Sequence, residues 1–351
     1  MRAHNWFLLV ILSVLWGATF FFIAIANPHV PPLTLVLARV GIAALALVPL
    51  VFILGYRLPS GGAWQVFIVQ AVINNVIPFV LIVVGQRYIA SGLAAVLNAT
   101  TPLFTLIVLR VFAGEALTFT KMLGVMLGVG GVAVLIGPAI TADASSVLGM
   151  LCVLGAALSY GFSALWMRRL RHIPPLVSSA AQLTCSTALL LPLAAFVDQF
   201  WLLPAPTAPA TLAIVGLALF STALAYIVFF QISASAGPSN VMLVTLLIPV
   251  TATALGVLAL GETPTAGQIA GALIIASGLV VIDGRLLSRF RREDGRHREF
   301  AGSRLRHASM AVAAGLRSSD SPPMRRWRQH TKSRPCHNRR DRFQPSTIGK
   351  K

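Results

Sequence analysis

The chain has 351 residues, 56% hydrophobic and 11% charged, with a mean hydropathy of +0.81. Soluble domains run at roughly 45–50% apolar and about 25% charged, so an ordinary water-soluble domain is excluded. The formal net charge of +18 would suit a nucleic-acid binder if it were spread evenly, but residues 1–284 hold nine Lys/Arg against five Asp/Glu, and residues 285–351 hold nineteen against five. The basicity belongs to the tail.

Taken in chain order, apolar windows between Pro, Gly and charge clusters predict helices over 5–26, 33–54, 64–84, 90–112, 117–138, 146–167, 175–197, 209–231, 239–260 and 266–284. Each is near the about 20 residues that cross a bilayer, and helices are required because open strands leave backbone groups unsatisfied in lipid. The first window has a basic start, and Ala24-Ile25-Ala26 imitates a leader cleavage site. Its apolar stretch from Phe7 to Ala26 is longer than the about 7–15 residues of a leader core, so it is read as a retained span. Cys152, Cys185 and Cys336 form neither a disulfide framework nor a metal spacing, and no cofactor is expected.

The fourth window, LNATTPLFTLIVLRVFAGE (97–115), and the ninth, VTLLIPVTATALGVLALGE (244–262), each place a proline thirteen residues ahead of a Gly-Glu glutamate. Proline removes a donor and clashes with the preceding turn, which a span tolerates where the break faces a cavity. Pro102 and Pro249, and Pro78 in the third window, are therefore expected bends, freeing carbonyls near Asn98 and Thr245. An offset of 147 also carries Gly114 onto Gly261, Glu115 onto Glu262, Gly124 onto Gly271 and Gly131 onto Gly278, while an offset of 144 carries Trp16-Gly17 onto Tyr160-Gly161.

These matches predict an all-α integral membrane fold of ten transmembrane helices, built as two five-helix repeats over 1–140 and 141–284, then a basic cytoplasmic tail, 285–351. Five is odd, so the second repeat enters inverted, as in many secondary transporters. With the N-terminus inside, Arg2, Arg57, Arg110, Lys121, Arg168, Arg169 and Arg171 lie at inner ends and only Arg87 at an outer end. The positive-inside rule then puts both termini in the cytoplasm of a multi-pass cell-membrane protein.

Several stretches resemble the EamA-type families of the drug/metabolite transporter superfamily: LWGATFFFIA (15–24), LARVGIAALALVPL (37–50), NNVIPFVLIVVGQRYIASGLAAVLNATTPLFTLIV (74–108), GVMLGVGGVAVLIG (124–137), STALAYIVFFQISASAGPSNVMLVTLLIPVTATALG (221–256) and GETPTAGQIAGALIIASGLVVI (261–282). Each motif is degenerate, but their order and double occurrence are specific, and they cover nearly all of 5–284. The resemblance implies carrier-type movement, often export, of amino acids or other small metabolites. It does not name the solute. The tail departs from the family, most of whose members stop soon after the tenth helix.

Candidate solute ligands follow from polarity inside spans. Arg39 lies about six residues into the second span, and a charge in hydrocarbon is by default a functional hypothesis. Its planar fork suits a carboxylate; the alternative is snorkelling to the headgroups. Asn74 and Asn75 sit mid-span before Pro78, with Ser221 and Thr222 at the repeat-equivalent place. These residues, with Asn98, Thr101, Gln182, Tyr226 and Thr245, are either ligands or interhelical hydrogen-bond partners, the latter worth only about 0.6 kcal/mol on average. Trp16 and Tyr160, at equivalent positions, either wall and gate the cavity or pack.

Gly124-x-x-x-Gly128 and Gly267-x-x-x-Gly271 let helices approach closely, serving either a homodimer face or packing within the chain. The run Gly128-x-Gly130-x-x-Ala133 imitates a dinucleotide fingerprint but lacks a preceding strand, and the sequon at Asn98 is buried in a span. No Asp or Glu falls in the middle of a span, so proton coupling has no obvious relay carboxylate, and exchange or facilitated diffusion stays open. The tail is read as an anionic-lipid contact at about 1 kcal/mol per basic residue or as extended, disordered sequence, and not as a nucleic-acid binder. The expected partners are thus a small-molecule solute and membrane lipid. Against a non-enzymatic transporter stand a membrane enzyme acting on lipid-linked substrates, for which no metal cluster or paired acids is present, and a non-transporting scaffold.

Overall fold

The computed structural model describes residues 3–142, 144–236 and 243–283; the tail, with its expected lipid contact, and Cys336 lie outside the described residues. The described residues contain no strand. They form α1 (Ala3–Ala26), α2 (Pro32–Ile53), α3 (Ala63–Gly85), α4 (Ser91–Ala113), α5 (Phe119–Ala142), α6 (Ala144–Trp166), α7 (Pro175–Val197), α8 (Ala208–Ile232), α9 (Val244–Leu260) and α10 (Ala266–Asp283). Eight are long and apolar enough to cross a membrane, and two, Val244–Leu260 and Ala266–Ile282, are shorter apolar helices. α2 and α7 each open on a proline preceded by a second proline in extended geometry, which suits a first turn whose N–H groups lack partners anyway. α4 and α9 end on Gly114 (φ 66°) and Gly261 (φ 69°). In that left-handed cap the N–H groups of Gly114 and Glu115 close on the Leu109 carbonyl, and those of Gly261 and Glu262 on Gly256.

The three prolines meet three outcomes. Before Pro78 the chain widens into a π-helical turn, Val72–Val76, where the Ile77 N–H reaches back five residues to Val72. Pro78 has no N–H for the next carbonyl, Ile73, and Ser159 Oγ donates to it instead at 2.7 Å. At Pro102 the helix is interrupted at Ala99–Thr100. The hydroxyls of Thr100 and Thr101 take the Leu97 and Asn98 carbonyls at 2.6 and 2.7 Å, so the carbonyl expected to be free near Asn98 is occupied. At Pro249 the helix assignment is continuous, with the proline inside α9. The 147-residue offset puts Leu247 and Ile248 where Thr100 and Thr101 stand. Without hydroxyls to receive the carbonyls of a broken turn, the helical path is retained. A second π-helical turn, Leu219–Leu224, interrupts α8 with no proline near it.

Small residues set the closest packing. A Cβ on Gly124 would stand 2.7 Å from the Gly278 carbonyl, and one on Gly131 2.9 Å from that of Gly271, so the backbones of α5 and α10 touch and the Gly124 stripe is used inside the chain. Gly128 faces Leu103 of α4; Gly267 has only its near neighbour Thr265 within reach. α1 approaches α9 where Gly17 meets Thr251, and α6 approaches α4 where Gly161 meets Phe104. Further pairs are α2–α7, α3–α7, α2–α8, α3–α6, α1–α8 and α4–α9.

At one end of the bundle Asn27 Nδ2 donates to the Val83 carbonyl, Arg87 Nε donates to Asn27 Oδ1, and Asp198 accepts from the Thr34 N–H and hydroxyl. At the same end Glu262 accepts the N–H groups of Ser91 and Gly92. At the other end Arg168 pairs with Glu115, the single ion pair among the described residues.

Candidate functional site

α2, α3, α6, α7 and α8 enclose a polar cluster centred on Arg39, in the third turn of α2 and only 5% exposed. Two contacts fix its guanidinium. Nε donates to Thr222 Oγ1 at 3.0 Å, and the carbon Cζ lies 3.7 Å from the Phe79 ring centroid; Tyr160 and Tyr226 lie nearby. The predicted fork is therefore buried in the bundle and does not snorkel. No carboxylate among the described residues lies within ion-pair distance of it.

The π-helical turn of α3 presents Asn74 and Asn75 to the same region. Asn74 Nδ2 donates to Asn75 Oδ1 at 3.1 Å and to Gln182 Oε1 at 3.0 Å. Asn75 Nδ2 donates to Ser186 Oγ at 2.9 Å, and Ser186 passes its own proton to the Gln182 carbonyl at 2.7 Å. From α6, Ser163 Oγ donates to Asn74 Oδ1 at 2.7 Å and accepts from Gln70 Nε2 at 2.9 Å. Tyr226 lies beside Asn74. Asn75, Ser163, Gln182, Ser186 and Thr222 are all buried; the amide–serine bonds join α3, α6 and α7 in one network, the Arg39–Thr222 bond links α2 to α8 separately, and such networks order the groups they contain.

The structure thus unites Arg39, Asn74, Asn75, Tyr160, Gln182 and Tyr226 of the sequence-predicted set. Ser221, at the edge of the cluster, is buried with its hydroxyl unpartnered; its neighbour Thr222 makes the contact to Arg39. Trp16 joins through rings: it packs on Phe229 (5.6 Å), which meets Phe230 (5.4 Å), which stacks on Tyr226 (6.1 Å). No contact ties Asn98 or Thr101 to Arg39. Asn98 Oδ1 is buried without a partner, while the Thr101 hydroxyl is spent on the Asn98 carbonyl. Thr245 lies in the first turn of α9. Of the predicted bends, Pro78 sits one turn below Asn74 and Asn75. Phe79, Ser159, Ser163, Ser186 and Gln70 were missed by sequence reasoning; a buried serine looks like any small residue, and only a polar neighbour one or two turns away marks it.

A separate groove of about 550 Å³ opens between α4, α9 and α10, lined by Leu93, Val96, Pro249, Val257 and Leu273, with Glu262 at its polar end. It is apolar and does not include the Arg39 cluster. No group of His, Cys, Asp and Glu among the described residues could hold a metal.

The sequence pattern of the EamA-like transporter family matches twice, over residues 4–137 and 147–283. The chain belongs to this family. Similar family members include the uncharacterized transporter YvbV of Bacillus subtilis, 27% identical over 281 residues and covering 79% of this chain and 90% of that protein. A probable amino-acid metabolite efflux pump of Salmonella typhimurium is 26% identical over 299 residues, covering 80% and 95%. A crystal structure of another protein superposes with a TM-score of 0.58 at 20% identity, covering 82% of this chain and 99% of that one, a likeness of fold alone. As a member of the EamA-like transporter family with several apolar helices, the chain is a multi-pass membrane protein.

Proposed function

We propose that the protein is a ten-span secondary transporter that exports small carboxylate-bearing metabolites such as amino acids, with its solute site on the Arg39 cluster and both termini in the cytoplasm of the cell membrane. The observation that carries this reading is Arg39: a buried guanidinium, stacked and hydrogen-bonded, with no carboxylate among the described residues to neutralise it. A charge held in a low-dielectric interior is costly unless it is paired, and a solute carboxylate supplies the pairing each time it binds.

The ten-span, inverted-repeat architecture gains support from helix pairing. Exchanging the first five helices with the last five turns α1–α9 into α6–α4, α3–α6 into α8–α1 and α3–α7 into α8–α2, and leaves α2–α7, α4–α9 and α5–α10 unchanged; all of these pairs are packed. The two shorter apolar helices have 17 and 18 residues, within the about 17–25 that a crossing requires. The two family matches, 4–137 and 147–283, support a boundary between halves in the interval that separates them. Both matched segments lie within the halves 1–140 and 141–284.

The test is counterflow in proteoliposomes with the twenty proteinogenic amino acids, each compared with its carboxamide. At least one amino acid should exchange, and its carboxamide should exchange at least tenfold less well. Absence of exchange for the whole panel, or equal rates for acid and amide, overturns the carboxylate reading.

A further inference from the structure

The 147-residue offset that aligns the two halves carries Arg39 onto Ser186 and Asn75 onto Thr222. These four residues make two hydrogen bonds. Arg39 Nε of α2 donates to Thr222 Oγ1 in the π-helical turn of α8 at 3.0 Å, and Asn75 Nδ2 in the π-helical turn of α3 donates to Ser186 Oγ of α7 at 2.9 Å. The same link, second helix of one half to π-turn of the other, is therefore made twice, once with a cation and once with neutral groups.

Thr222 has little freedom in this arrangement. Its hydroxyl donates its single proton to the Leu217 carbonyl five residues back at 2.9 Å, a reach that the widened π-turn supplies and that differs from the three- or four-residue reach usual for Thr in an α-helix. Toward Arg39 it can only accept. With Nε held there and the guanidinium face against Phe79, the orientation of the plane is set. The terminal Nη1 and Nη2, which have no hydrogen-bond partner among the described residues, are the edge left to meet a carboxylate in the bidentate geometry that guanidinium favours.

We infer that Thr222 is a positioning residue for solute recognition: it holds Arg39 Nε so that the Nη1/Nη2 edge receives the solute carboxylate, while the equivalent Asn75–Ser186 link supplies the neutral side of the site. This rests on the reading of Arg39 as the solute's anchor. Thr222→Val keeps the branched shape and removes both hydrogen bonds; Thr222→Ser restores them.

The experiment measures counterflow of the amino acid that exchanges fastest in the wild type, and of its carboxamide, in Thr222→Val, Thr222→Ser, Ser186→Ala and Arg39→Ala proteins recovered at equal insertion. Thr222→Val should raise KM for the acid at least tenfold with maximal rate within about twofold, and should lose most of the preference for acid over amide. Thr222→Ser should restore both, and Ser186→Ala should change acid and amide alike. If Thr222→Val keeps wild-type discrimination while Arg39→Ala abolishes it, the positioning role is overturned and the anchor stands. If Arg39→Ala also keeps it, the anchor falls and the positioning role with it. If Thr222→Val lowers acid and amide exchange equally, Thr222 is structural and the inference is overturned.

Discussion

Replacing Arg39 by alanine separates the roles of the guanidinium in folding and in binding. On the folding side the terms oppose one another. Burying a charge carries an effective penalty of several kcal/mol. The native contacts return about 1.5–3 kcal/mol for a hydrogen bond to a charged group and about 2 kcal/mol for a desolvated cation–π contact. Only one hydrogen bond and one ring face are on the return side, so the polar sum is near zero, and Arg39→Ala should lower stability by about 2–3 kcal/mol, the low end of the cost of truncating a large buried side chain. In a thermal melt this is a change of a few degrees. Binding lacks such an offset. Two charge-assisted bonds to a carboxylate at about 1.5–3 kcal/mol each correspond to about 3–6 kcal/mol, or roughly a 10²- to 10⁴-fold loss of affinity. Arg39→Lys, which keeps the charge and loses the fork, should fall between. The assay is counterflow paired with a melt of the same preparation. Wild-type KM in Arg39→Ala, or a melting temperature lowered by more than about 10 °C, refutes the reasoning: the first says that the cation does not meet solute, the second that it is a structural residue.

Other consequences can be checked separately. Glu262 accepts the N–H groups of Ser91 and Gly92 at 2.7 and 3.0 Å and so caps α4 from the other half of the chain. Glu262→Ala should cost about 0.5–2 kcal/mol, read as a lower melting temperature, with Glu262→Gln recovering part of it. Gly131→Val puts a branched side chain where even a Cβ would meet Ile275 Cγ1 at 2.7 Å. Overpacking of this kind costs about 1–3 kcal/mol and should reduce the yield of folded protein in detergent, whereas Gly130→Ala, with open space around its Cβ, should not. Deleting residues 295–351 should leave counterflow at the wild-type rate; a large loss in properly inserted protein would show that the tail takes part.

The apolar windows located the helices well because membrane burial writes itself into composition: the window 175–197 coincides with Pro175–Val197, and the others with described ends shift by a few residues. The helix ends at Gly114-Glu115 and Gly261-Glu262 were legible because a left-handed cap demands glycine. The π-turns were not legible. One precedes a proline and the other does not, and a widened turn needs no residue type of its own. Arg39, Asn74 and Asn75 stood out because charge and amides are rare in hydrocarbon. Phe79 beneath Arg39 did not, since one more phenylalanine in an apolar span carries no mark of which ring will lie under a cation. Pro102 and Pro249 differ in helix continuity, and with that difference goes the hydroxyl pair Thr100-Thr101, replaced at the 147-residue offset by Leu247-Ile248.

The glycine contact between α5 and α10 bears on how such a bundle can move. Cβ positions at Gly124, Gly131, Gly271 and Gly278 each fall within 3.0 Å of a carbonyl oxygen on the facing helix, so the two backbones interlock along nearly two turns and cannot slide past each other without collision. In a carrier that exposed its site alternately to each side, rocking about this contact would make α5 and α10 a fixed pivot, and displacement would grow with distance from it toward α3 and α8, which carry the π-turns. Spin labels on Met126 and Leu273, both exposed, should keep one separation with and without solute, while a pair at Ile68 of α3 and Val215 of α8 should report two.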